Sequence, residues 1–162
     1  MDHPFYIEQQ PYQGQSVLVT GGAGFIGRHL LDALLTAQAS VTVVDKLSGS
    51  CRQTNKAFLN QVRFVEGDVA DLACMSQVVR QTPPTVVFHL AANASVPNSI
   101  ADPIADFESN SRGTLMLLEA LRQWGGCQKI VLVSSGAVYG EPTTLPIRKI
   151  EAPCPHLPLR CE

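Results

Sequence analysis

The sequence predicts a doubly wound α/β fold, a parallel sheet with helices on both faces, and three observations carry that expectation. From Ser16 onward, short apolar runs alternate with stretches of helical period, the order of successive β-α-β units. The runs Val17-Leu18-Val19, Val41-Thr42-Val43-Val44, Val86-Val87-Phe88 and Ile130-Val131-Leu132-Val133 are continuously apolar, as strands covered on both faces must be. The first run passes through Thr20-Gly21-Gly22-Ala23-Gly24-Phe25-Ile26-Gly27 straight into a Leu-rich helical stretch.

Residues 1–15 read as an irregular extension, because Pro4, Pro11 and Gly14 punctuate a stretch without period. A strand is expected over 16–20 and a helix over about 24–38, where Ile26, Leu30, Leu31, Leu34 and Leu35 share a face. A strand over 40–45 leads into a polar loop and a short helix ending near residue 60. Then come a strand at 62–66, a helix at 71–82 and a strand at 85–91. A long helix over about 103–124, marked by Leu117, Leu118, Leu121 and Trp124, precedes a last strand at 129–134. Prolines at 142, 146, 153, 155 and 158 then turn residues 142–162 into an extended tail that no further element follows.

The glycines carry the first chemical signal. A strand that ends in glycines and opens a helix leaves unpaired N–H groups at the positive end of the helix dipole, where a pyrophosphate can sit. Gly21 or Gly22 permits the tight turn, Gly24 lets the backbone approach the phosphates, and Gly27 lets the helix pack on the strand. Asp45 closes the second strand eighteen residues after Gly27, where a dinucleotide fold needs a carboxylate for the ribose hydroxyls. A carboxylate there repels a 2′-phosphate, which favours NAD over NADP, whereas the adjacent Lys46 is a cation that could tolerate one. The plainer alternative for Asp45 is a turn residue after a strand. Residues 16–141 are therefore the expected NAD-binding domain.

Composition narrows the rest. The chain is 45% apolar and suffices for one core. A formal charge of −2 without any Lys/Arg cluster argues against nucleic acid. No run of eighteen apolar residues exists and the first fifteen residues lack a signal-peptide pattern, so no membrane partner and a cytoplasmic location are expected. Five cysteines at unrelated spacings read as free thiols, and four histidines without an HxxxH pattern point to no metal. His89, on a strand, reads as a satisfied core imidazole ahead of a ligand or a base.

Taken in order, the Gly-rich loop, Asp45, Gly67-Asp68-Val69, His89-Leu90-Ala91-Ala92-Asn93-Ala94-Ser95-Val96, Asn110-Ser111-Arg112-Gly113-Thr114 and Val133-Ser134-Ser135-Gly136-Ala137-Val138-Tyr139-Gly140 resemble one family. It is the NAD-dependent epimerase/dehydratase family of extended short-chain dehydrogenases/reductases, which act on nucleotide sugars, and the resemblance covers residues 16 to 158. It implies a nucleotide-sugar substrate, a UDP-hexose by its strongest resemblance, and the loop Asn93 to Ser99 slightly favours epimerisation over dehydration.

The resemblance also implies site residues. Gly21, Gly24, Phe25, Ile26, Gly27, Asp45, Lys46, Leu47 and Ser48 would bind the cofactor, Asp45 at the adenosine ribose. Asp68 would bond the adenine amine while Val69 packs on the ring. The small stretch Leu90-Ala91-Ala92, with Ala94, would run under the pyrophosphate and the nicotinamide ribose. Ser109 would contact the cofactor, and Asn110 would tie its helix to the neighbouring strand. From the residues alone, Asp68 is equally a turn or cap residue, the alanines a buried strand end, and Ser109 and Asn110 polar residues inside a helix.

Ser135 matches the catalytic serine or threonine that bonds the sugar hydroxyl being oxidised. Tyr139 does not match the family's base, a tyrosine in Tyr-x-x-x-Lys, whose phenol the lysine and the nicotinamide ring acidify. Four residues after Tyr6, Tyr12 and Tyr139 stand Gln10, Ser16 and Thr143, so the motif is absent from these residues. The chain is accordingly expected to be truncated just before its catalytic base, with an exposed edge at the fifth strand that favours a homodimer. Two other readings stay open, a non-catalytic NAD-binding module and an NADP-dependent reductase of the same superfamily.

Overall fold

The computed structural model describes residues 12–47, 60–140 and 146–147. The elements run β1 (Ser16–Thr20), α1 (Phe25–Thr36), β2 (Ser40–Asp45), β3 (Arg63–Glu66), α2 (Leu72–Gln81) and β4 (Val86–His89). They continue as α3 (Val96–Ala101), α4 (Pro103–Phe107), a π-helical turn (Glu108–Arg112), α5 (Gly113–Trp124) and β5 (Lys129–Leu132). All strand pairs are parallel, in the spatial order β3-β2-β1-β4-β5. The expected doubly wound sheet is thus the fold.

Two apolar clusters lie on opposite faces of the sheet. On one, Val17, Val19, Val41 and Val43 pack with Leu31 and Leu34 of α1. On the other, Leu18, Val44 and Val87 meet Met75, Val78 and Val79 of α2 and Leu117, Ala120 and Leu121 of α5. Successive strand residues therefore bury against different helices, which is why the runs are apolar without alternation. Asp71 starts α2 by accepting from the N–H groups of Ala73 at 2.8 Å and Cys74 at 3.3 Å. Gly125, at φ +75°, ends α5 with its N–H on Leu121 O at 2.9 Å.

Register brings the strand ends together. Thr20 of β1 lies opposite Val44 of β2 on one side and His89 of β4 on the other. Because the chain winds outward in both directions from β1, the crevice beyond these C-terminal ends is the switch point at which such sheets bind ligands.

Some expectations need correction. Helix α1 and strands β4 and β5 are shorter than the spans expected for them, and α3 forms where a loop was expected, capped by Ser95 Oγ accepting from Asn98 N at 3.3 Å. The expected helix over 103–124 is interrupted by the π-helical turn, in which the Gly113 N–H reaches back to Glu108 O. Gly113 rides directly on Val69, since a Cβ there would lie 2.8 Å from Val69 Cγ2. Tyr12, within the expected extension, packs its ring 6.0 Å from that of Phe88, and the Gln15 carbonyl accepts from Ser40 N. The short helix expected before residue 60 lies outside the described residues. From Val133 on the chain forms a second compact unit, whose described part includes a 3₁₀ turn, Gly136–Tyr139.

Candidate functional site

The site grows from the turn after β1. Gly21 sits at φ +71° with its N–H on Val44 O at 2.9 Å, and a Cβ there would lie 2.6 Å from Ala91 N. Only glycine combines that dihedral with that approach. The sequence left Gly21 and Gly22 as alternatives for the turn; Gly22 instead packs, because its Cβ would lie 2.7 Å from Val43 Cγ1. Gly27 seats α1 on the loop, where a Cβ would come within 2.6 Å of Gly21 O and Gly22 Cα. Gly24 differs from all three. It precedes α1, and a Cβ there would meet only Gly21 O at 3.3 Å, so the space its missing side chain leaves belongs to the crevice.

Asp45 ends β2 beside this loop. Its Oδ2 accepts from Ala23 N at 3.0 Å and its Oδ1 from Leu47 N at 2.8 Å. The carboxylate therefore holds the glycine loop and its own rim together, and an ionised carboxylate retains further acceptor positions for a ligand hydroxyl. Lys46 reaches over the crevice, its Nζ 3.5 Å from Asp68 Oδ2 and 3.4 Å from Ser109 Oγ. Asp68 Oδ1 accepts from Ala70 N at 2.9 Å. Below it the Cys74 thiol is pushed up, first by burial and then by Asp71 and Asp68, so it stays protonated and is a poor nucleophile.

The third wall follows β4. His89 is buried, with Nδ1 2.6 Å from Thr20 Oγ1 and Nε2 3.0 Å from Thr114 Oγ1. This bears out its reading as a satisfied core imidazole. Asn110 presents its carboxamide to the backbone of Asn93, accepting from Asn93 N at 2.7 Å and donating to Asn93 O at 3.2 Å. Asp106 accepts from the side-chain amides of both asparagines, at 2.9 and 3.1 Å.

These walls enclose a cavity of about 440 Å³, within the range of small-molecule sites. Of the residues singled out in the sequence, Gly21, Gly24, Asp45, Lys46, Asp68, Val69, Leu90, Ala91, Ala92 and Ser109 line it. Phe25 and Ile26 do not; their side chains are 73% and 61% exposed, and as the first helical residues they offer only backbone N–H groups. Gly27, Leu47 and Ala94 are not part of the lining, and Ser48 falls outside the described residues. Asn93, Asn98, Asp102 and Ala105 also line the cavity and were not foreseen as site residues. The Asp102-Pro103 pair did carry a helix-start signal, since Asp102 caps α4 by accepting from Ala105 N at 2.9 Å. Asn93 and Asn98 lie in the loop whose resemblance favoured epimerisation, but neither carried a signal of its own as a lining residue. In the second unit, Ser135 caps the 3₁₀ turn, its Oγ accepting from Ala137 N at 3.1 Å.

Residues 17–160 match the family described as the NAD dependent epimerase/dehydratase family. The chain belongs to that family. It is 40% identical over 143 residues to UDP-glucose 4-epimerase of Lacticaseibacillus casei, covering 88% of this chain and 42% of that protein. Among solved structures it is similar to UDP-glucose 4-epimerase from Brucella ovis in complex with NAD, at a TM-score of 0.78 and 37% identity over 88% of this chain and 42% of the other. It is also similar to UDP-N-acetylglucosamine 4-epimerase from Methanobrevibacter ruminantium in complex with UDP-N-acetylmuramic acid, at a TM-score of 0.74 and 35% identity, covering 88% and 45%. The chain thus spans less than half the length of these relatives.

The family's cofactor fits the cavity by one local test: Gly21, Gly24, Ala91 and Ala92 leave a wall of backbone and small side chains between the strand ends and the first turn of α1. Larger side chains there would fill the space a pyrophosphate needs.

Burial lowers the His89 pKa from its ordinary value of 6.5. The unfolded chain therefore binds the proton first, and the stability that neutral His89 contributes is full above 6.5 and is lost as pH falls from there through the lower folded value. Urea midpoints are expected to fall between about pH 7.5 and pH 5.5, and to fall less in His89→Gln, which does not titrate. Equal slopes for the two proteins would remove His89 from the acid sensitivity.

Proposed function

We propose that this chain binds NAD in the cavity between the ends of β1, β2 and β4, as the dinucleotide half of an epimerase acting on a UDP-hexose. The observation that carries the reading is the side-chain-free space at Gly24, flanked by the α1 N-terminus on one side and by the acceptors Asp45 and Asp68 on another. The pyrophosphate would lie on the glycine loop and the first-turn N–H groups, the adenosine ribose on Asp45, and the adenine beside Asp68 and Val69. When bound, NAD supplies the hydride acceptance and return of this family. Ser135 is proposed to bond the sugar hydroxyl. No Tyr-x-x-x-Lys stands among these residues, so what they supply is binding and orientation. Free Cys74 and Cys127 suit a cytoplasmic setting, and no helix among the described residues is long and apolar enough to cross a membrane.

A homodimer is part of the proposal. Ile104, Phe107 and Leu115 are 74%, 59% and 59% exposed on the α4 to α5 helical segment, and Ile130 and Leu132 are exposed on edge strand β5. Such surface favours self-association. Sedimentation as a monomer at tens of micromolar would overturn this part.

Calorimetric titration tests the main reading. NAD is expected to bind at least about tenfold more tightly than NADP, because a 2′-phosphate would face the Asp45 carboxylate. Asp45→Asn should weaken NAD by about 1.5–3 kcal/mol through loss of a charge-assisted ribose hydrogen bond. Gly24→Val should abolish binding with its circular dichroism unchanged, since a Cβ there meets only Gly21 O, at 3.3 Å, and the rest of the side chain would stand in the crevice. Failure of the chain to bind NAD, or unchanged binding by Gly24→Val, would sink the proposal.

Catalysis is a separate expectation. With NAD and UDP-galactose, these 162 residues should turn over at least about 10²–10⁴-fold more slowly than the longer relatives, the usual cost of a missing general base. Sugar analysis at normal epimerisation rates would require another base, with Tyr139 the first residue to replace.

A further inference from the structure

We propose that His89, which lines no part of the cavity, is the positioning residue of the cofactor cradle: a single neutral tautomer that ties the end of β1 to the π-helical turn and so fixes Ala91, Asn93 and Ser109 in the walls. The inference rests on the NAD reading above for what the walls hold, and on hydrogen positions for the rest.

The direction of each bond follows from counting protons. Thr114 Oγ1 lies 2.7 Å from Asn110 O, a carbonyl that can only accept, so the Thr114 hydroxyl hydrogen is used there. The 3.0 Å contact between Thr114 Oγ1 and His89 Nε2 then requires a hydrogen on Nε2. In a neutral ring Nδ1 is therefore the acceptor, and Thr20 Oγ1, at 2.6 Å, donates to it. The Thr20 oxygen in turn accepts from Ala91 N at 3.4 Å. One continuous relay thus runs from Ala91 N–H through Thr20, His89 and Thr114 to the Asn110 carbonyl. From Asn110 the paired carboxamide contacts continue it to the backbone of Asn93, and Ser109 is the neighbouring residue of the same turn.

Every hydrogen in this relay has one place to go. A proton added at Nδ1 would make both His89 and Ala91 donors to Thr20 Oγ1, and the Thr20 hydroxyl would have to turn from the only acceptor it has among the described residues. Thr20 is fully buried, so water does not replace that partner. Among the described residues no charge nearby favours the cation. Strand β1 carries no charged residue; Lys129 stands at the opposite end of β5 from the residue paired with His89. On the helical segment Asp106 is held by Asn93 and Asn110, while Glu108 pairs with Arg112 and Glu119 with Arg122. Burial is what acts on the imidazole.

Imidazole nitrogen spectra of the ¹⁵N-histidine-labelled chain test the tautomer without any ligand. A hydrogen on Nε2 alone at about pH 7.5 is expected; the Nδ1–H tautomer, or a mixture, would overturn the proposal. Amide exchange at Asn93 tests the coupling: Thr114→Val, which breaks the relay on the side away from the cavity, should lower Asn93 protection by about tenfold or more with global stability matched by urea titration. Unchanged protection would also overturn it. Both readouts stand even if NAD fails to bind, so failure of the functional reading is distinguishable.

With NAD, Thr114→Val should weaken binding by about fivefold to tenfold at pH 7.5. The Kd of the unmodified chain should rise as pH falls below 6.5 through the lowered folded pKa of His89, whereas His89→Gln should lack that rise, whatever the level of its Kd. A merely structural histidine would leave the two pH profiles parallel, and that result counts against the proposal.

Discussion

The approach of the glycine loop to the end of β4 is the contact on which the rest of the site depends. Gly21 lies so close to Ala91 that a methyl group would have no room, and its N–H is spent on the carbonyl of Val44. The turn is thereby stitched to β2 and pressed against the loop after β4, the two strands that flank β1. This fixes the path of the chain into α1, and the helix can enter at that angle only because Gly27 also lacks a side chain. The resulting gap at Gly24 is a consequence of those two close contacts, since a looser turn would let the loop fill its own crevice.

Asp45 couples the same turn to whatever occupies the crevice. One carboxylate oxygen holds Ala23 of the glycine loop and the other holds Leu47 on the rim, so the loop is pre-organised by the group that a ribose would also address. Pre-organisation reduces the ordering cost of binding. It also means that replacing Asp45 alters two things at once, the acceptor offered to the ligand and the loop that carries the glycines.

The layering of the sheet was legible because it is written in local pattern. Val17 to Val19 and Val41 to Val44 are apolar at consecutive positions, and the clusters show each residue assigned to one face. The glycines were legible because their absence of side chains is a sequence fact. What stayed hidden is the contact of His89 with Thr20, sixty-nine positions away and unmarked by any period, whereas the tie of Asn110 to the chain after β4, at Asn93, was expected from the family resemblance and not from the residues alone. The π-helical turn was hidden for a related reason. An inserted residue shifts the helical phase, yet Leu117 and Leu121 still face the core, so the apolar period reads as one uninterrupted helix. The Lys46 bridge to Asp68 and Ser109 spans three separate segments and had no sequence signature beyond its charge.

The electrostatics of the cavity say which parts of a dinucleotide it can address with side chains. Among the described residues, three carboxylates, Asp45, Asp68 and Asp102, line it against one ammonium, Lys46, whose charge is already shared with Asp68. Such a lining accepts hydrogen bonds from ribose hydroxyls and an adenine amine, and it repels phosphate. A pyrophosphate held here must therefore rest on backbone N–H groups of the glycine loop and the α1 terminus, whose partial charges need no mobile side chain. Among the described residues an extra 2′-phosphate would find no such backbone cradle and would meet Asp45 instead. A preference against a 2′-phosphate would follow from where the donors are main-chain and where the acceptors are side-chain, and among the described lining residues Lys46, half-exposed and at the limit of hydrogen-bond distance from both partners, carries the charge that opposes it.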